Sequence, residues 1–490
     1  MGTQFDVEGF LFDNHTGRQL FESVARNLPV HDFHTHLSAA DIALDRRFHN
    51  LTELTLESDH YRFRAMRARG VPEVLITGNA AAREKFQAWA ETVPFAVGNP
   101  LVDWVQLELA LVFGINEILD GSNAAAVWES SAEKLALPEF SARGLLLKQR
   151  VKVVCTTDDP LDNLAHHAAL RTERFRVKVV PGFRADPLYA VGDPAGYNRY
   201  LDRLAEESGE MCRTLPGLIR AAETRMTHFH DHGCRILDLG LDRLRFLRDR
   251  EKTTGCFRRA ASVFRRLRRG RLVTDDERVC FTSVLLTELS RQAHARGWTQ
   301  LLHIGPLRNV NSVSARRLGP NTGFDVIGDH SIIAPLAGFL NALADAGCLP
   351  RTIIYAINPA DIPAVISLAG GFPKEKAEGW VQAGAPWWFS DHRAGIESFL
   401  DSLSAVGFLR PFSGMVSDSR SLLSFCRHEY FRRVFCNWIG RKRELGLLPA
   451  GDRTIRELVA AVAYDNAARD VRMGEEPAEE HGGKHGGKAE

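Results

Sequence analysis

The chain has 490 residues, 44% hydrophobic and 25% charged, an ordinary composition for a globular protein with a large buried core. Lys and Arg number 62 against 61 Asp and Glu, a net charge of +1. Neither nucleic acid nor a membrane surface is therefore drawn to it by a global field.

The acidic N-terminus, Met1 to Phe12, lacks the apolar core of a signal peptide, and no apolar run reaches transmembrane length. Eight cysteines (Cys155, Cys212, Cys234, Cys256, Cys280, Cys348, Cys426 and Cys436) are scattered without CxxC pairs. A disulfide framework is not expected, and the reducing cytoplasm is the expected compartment.

Val30 and Phe33 make a short β-favouring run that ends in His34-Thr35-His36. Alternate residues of a strand share a face, so the two imidazoles can grip one divalent cation if distant residues complete the set. Alone, H-x-H is a weak signal. Residues 38–148 then read as a helical insertion, with helical spacing over Leu51–Met66, Ala80–Thr92 and Val102–Phe113 and a break at Asn99-Pro100.

From Val151 the rhythm changes to short apolar runs separated by helix-length connections. These are Val151–Thr157, Phe175–Phe183, Cys234–Leu241, Gln300–Gly305, Ile353–Asn358, Val381–Phe389 and Phe412–Ser417. With the first strand they make eight βα units, which predict an α/β fold of the (β/α)8 barrel class. An open doubly wound sheet is the alternative, but no G-x-G-x-x-G follows any run. The division is 1–37 with strand one, 38–148 the insertion, 149–474 the remaining barrel, and 475–490 a disordered, low-complexity tail.

Barrel sites lie at the C-terminal ends of strands, and polar residues gather there: His34 and His36, Asp158-Asp159, Arg184, Asp238, His303, Asn358, Trp387-Trp388, Asp418 and Arg420. The basic run Arg243–Arg271 lacks interleaved stacking aromatics and reads as a solvated helix face rather than a nucleic-acid patch.

Several longer blocks resemble the uronate isomerase (glucuronate isomerase) family of the amidohydrolase superfamily. They are His31-Asp-Phe-His-Thr-His-Leu, Asp45-Arg-Arg-Phe, Asp59-His-Tyr-Arg-Phe-Arg-Ala-Met-Arg, Phe113-Gly-Ile-Asn-Glu, Cys155-Thr-Thr-Asp-Asp-Pro and His303-Ile-Gly-Pro-Leu-Arg-Asn. To these add Thr322-Gly-Phe-Asp-Val-Ile-Gly-Asp, Trp387-Trp-Phe-Ser-Asp, Met415-Val-Ser-Asp-Ser-Arg-Ser and Arg427-His-Glu-Tyr-Phe-Arg-Arg.

The resemblance implies a distorted barrel with a helical insertion after strand one. It also implies reversible aldose–ketose isomerisation of D-glucuronate to D-fructuronate, and of D-galacturonate to D-tagaturonate. By the family pattern His34, His36 and Asp418 match the metal ligands, with zinc the usual occupant, and His303 matches a histidine that ligates metal in many superfamily members. Asp418 matches the proposed base, Tyr61 and Arg420 a proton relay, Arg184 and His60 partners of the substrate carboxylate, and Trp387 and Trp388 walls of the sugar site. The implied partner is a small hexuronate, with oligomeric state, a homo-oligomer included, left open.

Three positions depart from the family: Leu239 where histidine is usual, Ala185 for Pro, and Asn321 for Asp. Two other readings stand beside the isomerase, a metal-dependent hydrolase on the same barrel and an inactive sugar-acid-binding barrel.

Overall fold

A computed structural model describes residues 4–246 and 250–473, with the backbone alone for 250–255. The expected low-complexity tail lies outside the described residues. Among the described residues there are ten short strands: β1 (Val30–Asp32), β2 (Val151–Cys155), β3 (Lys178–Val180), β4 (Phe183–Arg184), β5 (Ile236–Leu241), β6 (Thr299–Ile304), β7 (Pro306–Leu307), β8 (Val326–Ile327), β9 (Arg351–Ala356) and β10 (Val381–Ala383). β1–β2–β3 form one parallel sheet and β10–β9–β6–β5–β4 a second. β7 and β8 make a small antiparallel pair not expected from the sequence.

The two large sheets are parts of one distorted α/β barrel. The third expected run is broken at Pro181-Gly182 into β3 and β4. Proline cannot donate to a ladder, so the strand steps sideways there. A parallel bridge between Asp158 and Phe183 carries the sheet across the break. Arg184 consequently lies within β4 rather than after it.

The eighth run, Phe412–Ser417, corrects the expectation more strongly, because it forms no ladder. Gly414 (φ 76°) and Asp418 (φ 46°) leave the extended conformation, so regular pairing with β10 and β1 is lost. Side chains take over. Gln382 Oε1 accepts from Ser413 N at 2.9 Å, and the buried Asp32 carboxylate accepts from Ser417 N at 3.1 and 3.2 Å. Asp418 N donates to His34 O at 3.1 Å and His36 N to Ser419 O at 2.9 Å. The barrel closes here on a few hydrogen bonds instead of a strand.

Six helices stand between β1 and β2. The continuous spacing over Leu51–Met66 is interrupted, because Asp59 caps a new helix, His60–Arg69, by accepting from Tyr61 N and Arg62 N. That cap puts His60 and Tyr61 in the first turn. A buried ion pair, Arg62 Nη2 to Glu108 Oε2 at 2.6 Å, ties this helix to the helix Pro100–Phe113, which starts at the expected Asn99-Pro100 break.

Six cysteines are free and buried, but Cys256 and Cys280 are bonded, joining the helices Arg250–Arg268 and Asp275–Ala295. The cysteine spacing gave no sign of this pair; only the packing of neighbouring helices creates it. Along the first of these helices Arg258, Arg259 and Arg265 are exposed, while Arg268 pairs with Asp202. Among the described residues no helix is long and apolar enough to cross a membrane.

Alternation along β5 settles where Leu239 points. Ile236 belongs to the interior cluster with Phe33, Val153, Leu301, Ile353 and Tyr355, and Asp238 reaches His303 across the interior. Leu237, Leu239 and Leu241 belong to the outer core beneath the helices. Leu239 is fully buried there. Replacing it by histidine strands a polar ring in an apolar layer, so Leu239→His should lower unfolding free energy by about 2–4 kcal/mol in urea titrations. Native stability in that variant would mean that position 239 faces the polar interior.

Candidate active site

Asp418 is the point on which the C-terminal mouth converges. His34 Nε2 lies 3.2 Å and His36 Nε2 3.1 Å from its Oδ1, while Trp387 Nε1 donates to its Oδ2 at 2.6 Å. Both histidines sit just past β1 rather than in it, yet the i, i+2 spacing still brings them together, with ring centroids 5.3 Å apart. Trp387 and Trp388 likewise lie beyond β10, at a 3₁₀ turn rather than in a strand.

The electrostatics suit a cation. Burial pushes the Asp418 carboxyl up, but hydrogen bonding to His34 and His36 outweighs it and holds the group well below the usual range. Burial pushes His36 down to about 4, which keeps the imidazole neutral and able to donate a lone pair. Burial also works against charge on His34, but Asp238 and Asp418 overcome it and raise the group. Positive charge is favoured between these two carboxylates.

Two overlapping donor sets result: His34, His36 and Asp418, and His34, Asp238 and His303, the ligand atoms of each lying within 4.8 Å of one another. His303 Nδ1 is held by Asp238 Oδ1 at 2.9 Å, and its Nε2 is buried without a partner. An imidazole oriented by a carboxylate, with its other nitrogen unsatisfied, is the usual preparation for a ligand. These residue types fit a divalent ion.

Behind this centre stands a second layer that residue pattern did not reveal. Arg184 Nη1 donates to Asp238 Oδ2 at 2.7 Å and its Nε to Asp186 Oδ2 at 2.8 Å. Asp186 also accepts from Tyr189 OH at 2.6 Å and from Gly240 N at 2.7 Å. A Cβ at Gly240 would come within 2.5 Å of Asp186 Oδ2 and 2.6 Å of Arg184 Nη2, so only glycine fits beside the pair. Arg184 is thus already committed to two carboxylates. Tyr355 stacks flat on His303 at 4.7 Å and fixes its ring plane.

The other side of the mouth comes from the insertion. His60 stacks on Tyr61 at 4.5 Å and approaches Trp388 at 5.4 Å. Trp388 has φ 51°, a left-handed conformation that a bulky residue adopts at a cost of roughly 1–2 kcal/mol. Burial holds the Tyr61 phenol well above its ordinary range, hence protonated. Among the described residues the Arg420 side chain makes no hydrogen bond or ion pair, and it lines three cavities. One, of about 20 Å³, lies between it, His60, Tyr61 and Asp418; the next, about 350 Å³, opens past His36 toward Arg46 and Glu57.

Arg427 and Asp391 complete this wall. The Arg427 guanidinium lies over the Tyr61 ring at 5.4 Å and 3.7 Å from Asp391 Oδ2. Burial raises Asp391 to about 7 although Arg427 opposes it. Both residues fall in blocks that the sequence made conspicuous, but nothing in their spacing gave them a role.

A distorted α/β barrel whose strand ends gather two histidine–carboxylate sets, an arginine and two tryptophans has the architecture of a barrel enzyme. The glucuronate isomerase family model matches residues 2–470. The uronate isomerase of Cellvibrio japonicus is 40% identical over 465 residues, covering 94% of this chain and 98% of that protein. That of Geobacillus thermodenitrificans is 42% identical over 464 residues, covering 94% and 98%. The crystal structure of the Thermotoga maritima uronate isomerase superposes with a TM-score of 0.88 at 33% identity, covering 96% of this chain and all of that one. The chain belongs to the glucuronate isomerase family and is an aldose–ketose isomerase.

Other strand-end polar residues serve the scaffold. Asn358 caps the turn after β9, and Asp159 accepts from Leu161 N and Tyr200 OH. Asp158 is buried beside Thr156 Oγ1 at 2.7 Å and Gly182 N at 3.2 Å, and burial raises its carboxyl to about 7. A folded value above the unfolded value favours the protonated form. Its stability contribution is complete below about pH 4 and is lost as pH rises through 7. Relative to Asp158→Asn, which does not titrate, the native chain should lose up to about 3 kcal/mol between pH 4.5 and 7.5 in urea unfolding. A difference that does not change with pH would contradict a buried, neutral Asp158.

Proposed function

We propose that the protein interconverts D-glucuronate with D-fructuronate and D-galacturonate with D-tagaturonate, as open-chain acids, through a cis-enediol in hexuronate catabolism. The observation that carries this reading is the convergence of His34, His36 and Trp387 on one carboxylate, Asp418, beside a protonated Tyr61 and an unpaired Arg420.

Moving a carbonyl from C1 to C2 requires one proton to leave C2 and one to reach C1. A single carboxylate can do both if the two carbons present the same face, which is the geometry of a cis-enediol. Asp418 is ionised at neutral pH, so it can take the C2 proton and return it to C1; a positioned base of this kind is worth about 10²–10⁴-fold. Between the two oxygens a proton also has to move, from O2 to O1. Tyr61 supplies the phenol for that transfer, and the Arg420 guanidinium stabilises negative charge while it occurs.

His34, His36 and Asp418, with His303 poised behind them, would hold a divalent ion, zinc by the family pattern. When bound, it supplies Lewis-acid stabilisation of charge developing on the two oxygens. The substrate carboxylate meets cationic and hydrogen-bonding groups. His60, stacked on Tyr61, makes no side-chain hydrogen bond among the described residues, whereas Arg184 has only the donors left over from Asp238 and Asp186. Trp387 and Trp388 wall the sugar. The 20 Å³ gap at Asp418 is smaller than a hexuronate, so substrate entry must part the wall formed by His60, Tyr61 and Arg420.

Purified protein incubated with D-glucuronate should generate D-fructuronate resonances by NMR and carry about one divalent ion per chain, while the His34→Ala/His36→Ala variant should carry none. Unchanged D-glucuronate would overturn the reaction. Equal ion content in the two proteins would remove these histidines from the metal site.

A further inference from the structure

The opposite, N-terminal end of the barrel holds a cavity of about 610 Å³ that the isomerisation does not use. It lies where β6 and β9 begin, at Thr299 and Arg351. Among the described residues, six cationic side chains line it (Arg235, Arg351, Lys374, Lys376, Arg469 and Arg472), against two carboxylates, Asp470 and Glu378.

Those carboxylates are already engaged. Asp470 is buried and is held by Ser413 Oγ at 3.0 Å, Arg469 Nε at 2.9 Å and Arg351 Nη1 at 3.3 Å. Glu378 Oε2 lies 3.4 Å from Arg469. On the other wall Trp380 carries the Lys374 ammonium 3.4 Å from its ring centroid, and the Arg351 guanidinium at 5.1 Å. Two cations share one aromatic ring there.

The gathered cations weaken one another's charge. Partial burial pushes Lys374 below its ordinary range, and Arg351 pushes it further. Burial lowers Arg351 as well; Asp470 offsets part of that, while Arg469 and Arg472 add to the lowering. Like charges are gathered in a concave, partly water-excluding site where their field is focused.

We propose that this basal cavity is a binding site for a small, multiply charged anion, a polyphosphate or a polycarboxylate, seated between Lys374 and Arg472 and against the Arg351–Trp380 wall. Guanidinium groups present paired donors to either oxyanion, and a second or third negative charge is what an unbalanced cluster of this size can neutralise. A monovalent anion would leave most of the repulsion in place.

The test titrates the full chain by calorimetry with inorganic pyrophosphate and, separately, with citrate, in parallel with chloride at matched ionic strength. Saturable 1:1 binding is expected for pyrophosphate, citrate or both, weakening as salt is raised, with a melting-temperature rise of about 1–3 °C at saturation. The relative affinities identify whether phosphate or carboxylate is preferred. Lys374→Glu/Arg472→Glu changes two exposed residues and should weaken binding at least about tenfold while melting normally without the anion. A control reversal on another surface, Arg258→Glu/Arg259→Glu, should bind as the native chain does. Absence of saturable binding by either anion, equal binding by the Lys374/Arg472 variant, or loss in the control variant would each overturn the proposal.

Discussion

One backbone position governs the site. Asp418 sits at φ 46°, where the chain turns out of the eighth barrel position, and this turn aims its carboxylate back at His34 and His36. Had the eighth run continued as a regular strand, side-chain alternation would fix residue 418 by its register alone. Instead the run is held by Asp32 accepting from Ser417 N, and by Asp418 N and Ser419 O bonding to the chain around His34 and His36. The His-x-His segment and Asp418 therefore fix each other. Each is placed by the other's backbone as well as by the contact of their side chains.

The second constraint is charge. Asp238 is fully buried in the barrel, and Arg184, His34 and His303 surround it. Removing one partner of such a buried pair typically costs about 3–5 kcal/mol, because the other charge is left uncompensated. Asp186 and Gly240 lock the arginine in turn, and Tyr355 locks the histidine ring. A rigid layer of this sort leaves the mouth-facing groups, Arg420, Tyr61 and His60, as the ones with unspent hydrogen-bonding capacity. On the insertion side Arg64 donates to Asp325 O and Arg67 to Thr322 O, tying the helix that carries His60 and Tyr61 to the opposite rim.

Much of this was legible in the chain. Eight apolar runs separated by helix-length connections are a physical signature of βα repetition, and the polar residues at their ends did gather at one mouth. His34, His36, Asp418, His303, Trp387, Trp388, His60, Tyr61 and Arg420 are all brought together there. What could not be read were features created by contact between distant segments. The loss of a ladder at Phe412–Ser417 and the Cys256–Cys280 bond depend on neighbours that no local spacing encodes, whereas the third run's break at Pro181 has a local cause that its apolar spacing masked. Arg184 is the instructive case among the site residues: its type suggests a carboxylate partner, and it has one, but the carboxylates are the protein's own. Leu239 shows the reverse, since strand alternation alone separates it from the polar face that Asp238 occupies.

The central claim is that Asp418 carries the proton between C2 and C1. It is tested most directly by washout of deuterium from D-glucuronate labelled at C2, comparing the native chain with Asp418→Asn, an amide of nearly the same shape. The native protein should move the label from C2 to C1, losing part of it to water while it resides on the carboxylate, and the variant should do both at least about 10²-fold more slowly while unfolding normally. Exchange at the native rate in Asp418→Asn would contradict the account and move the base to another residue.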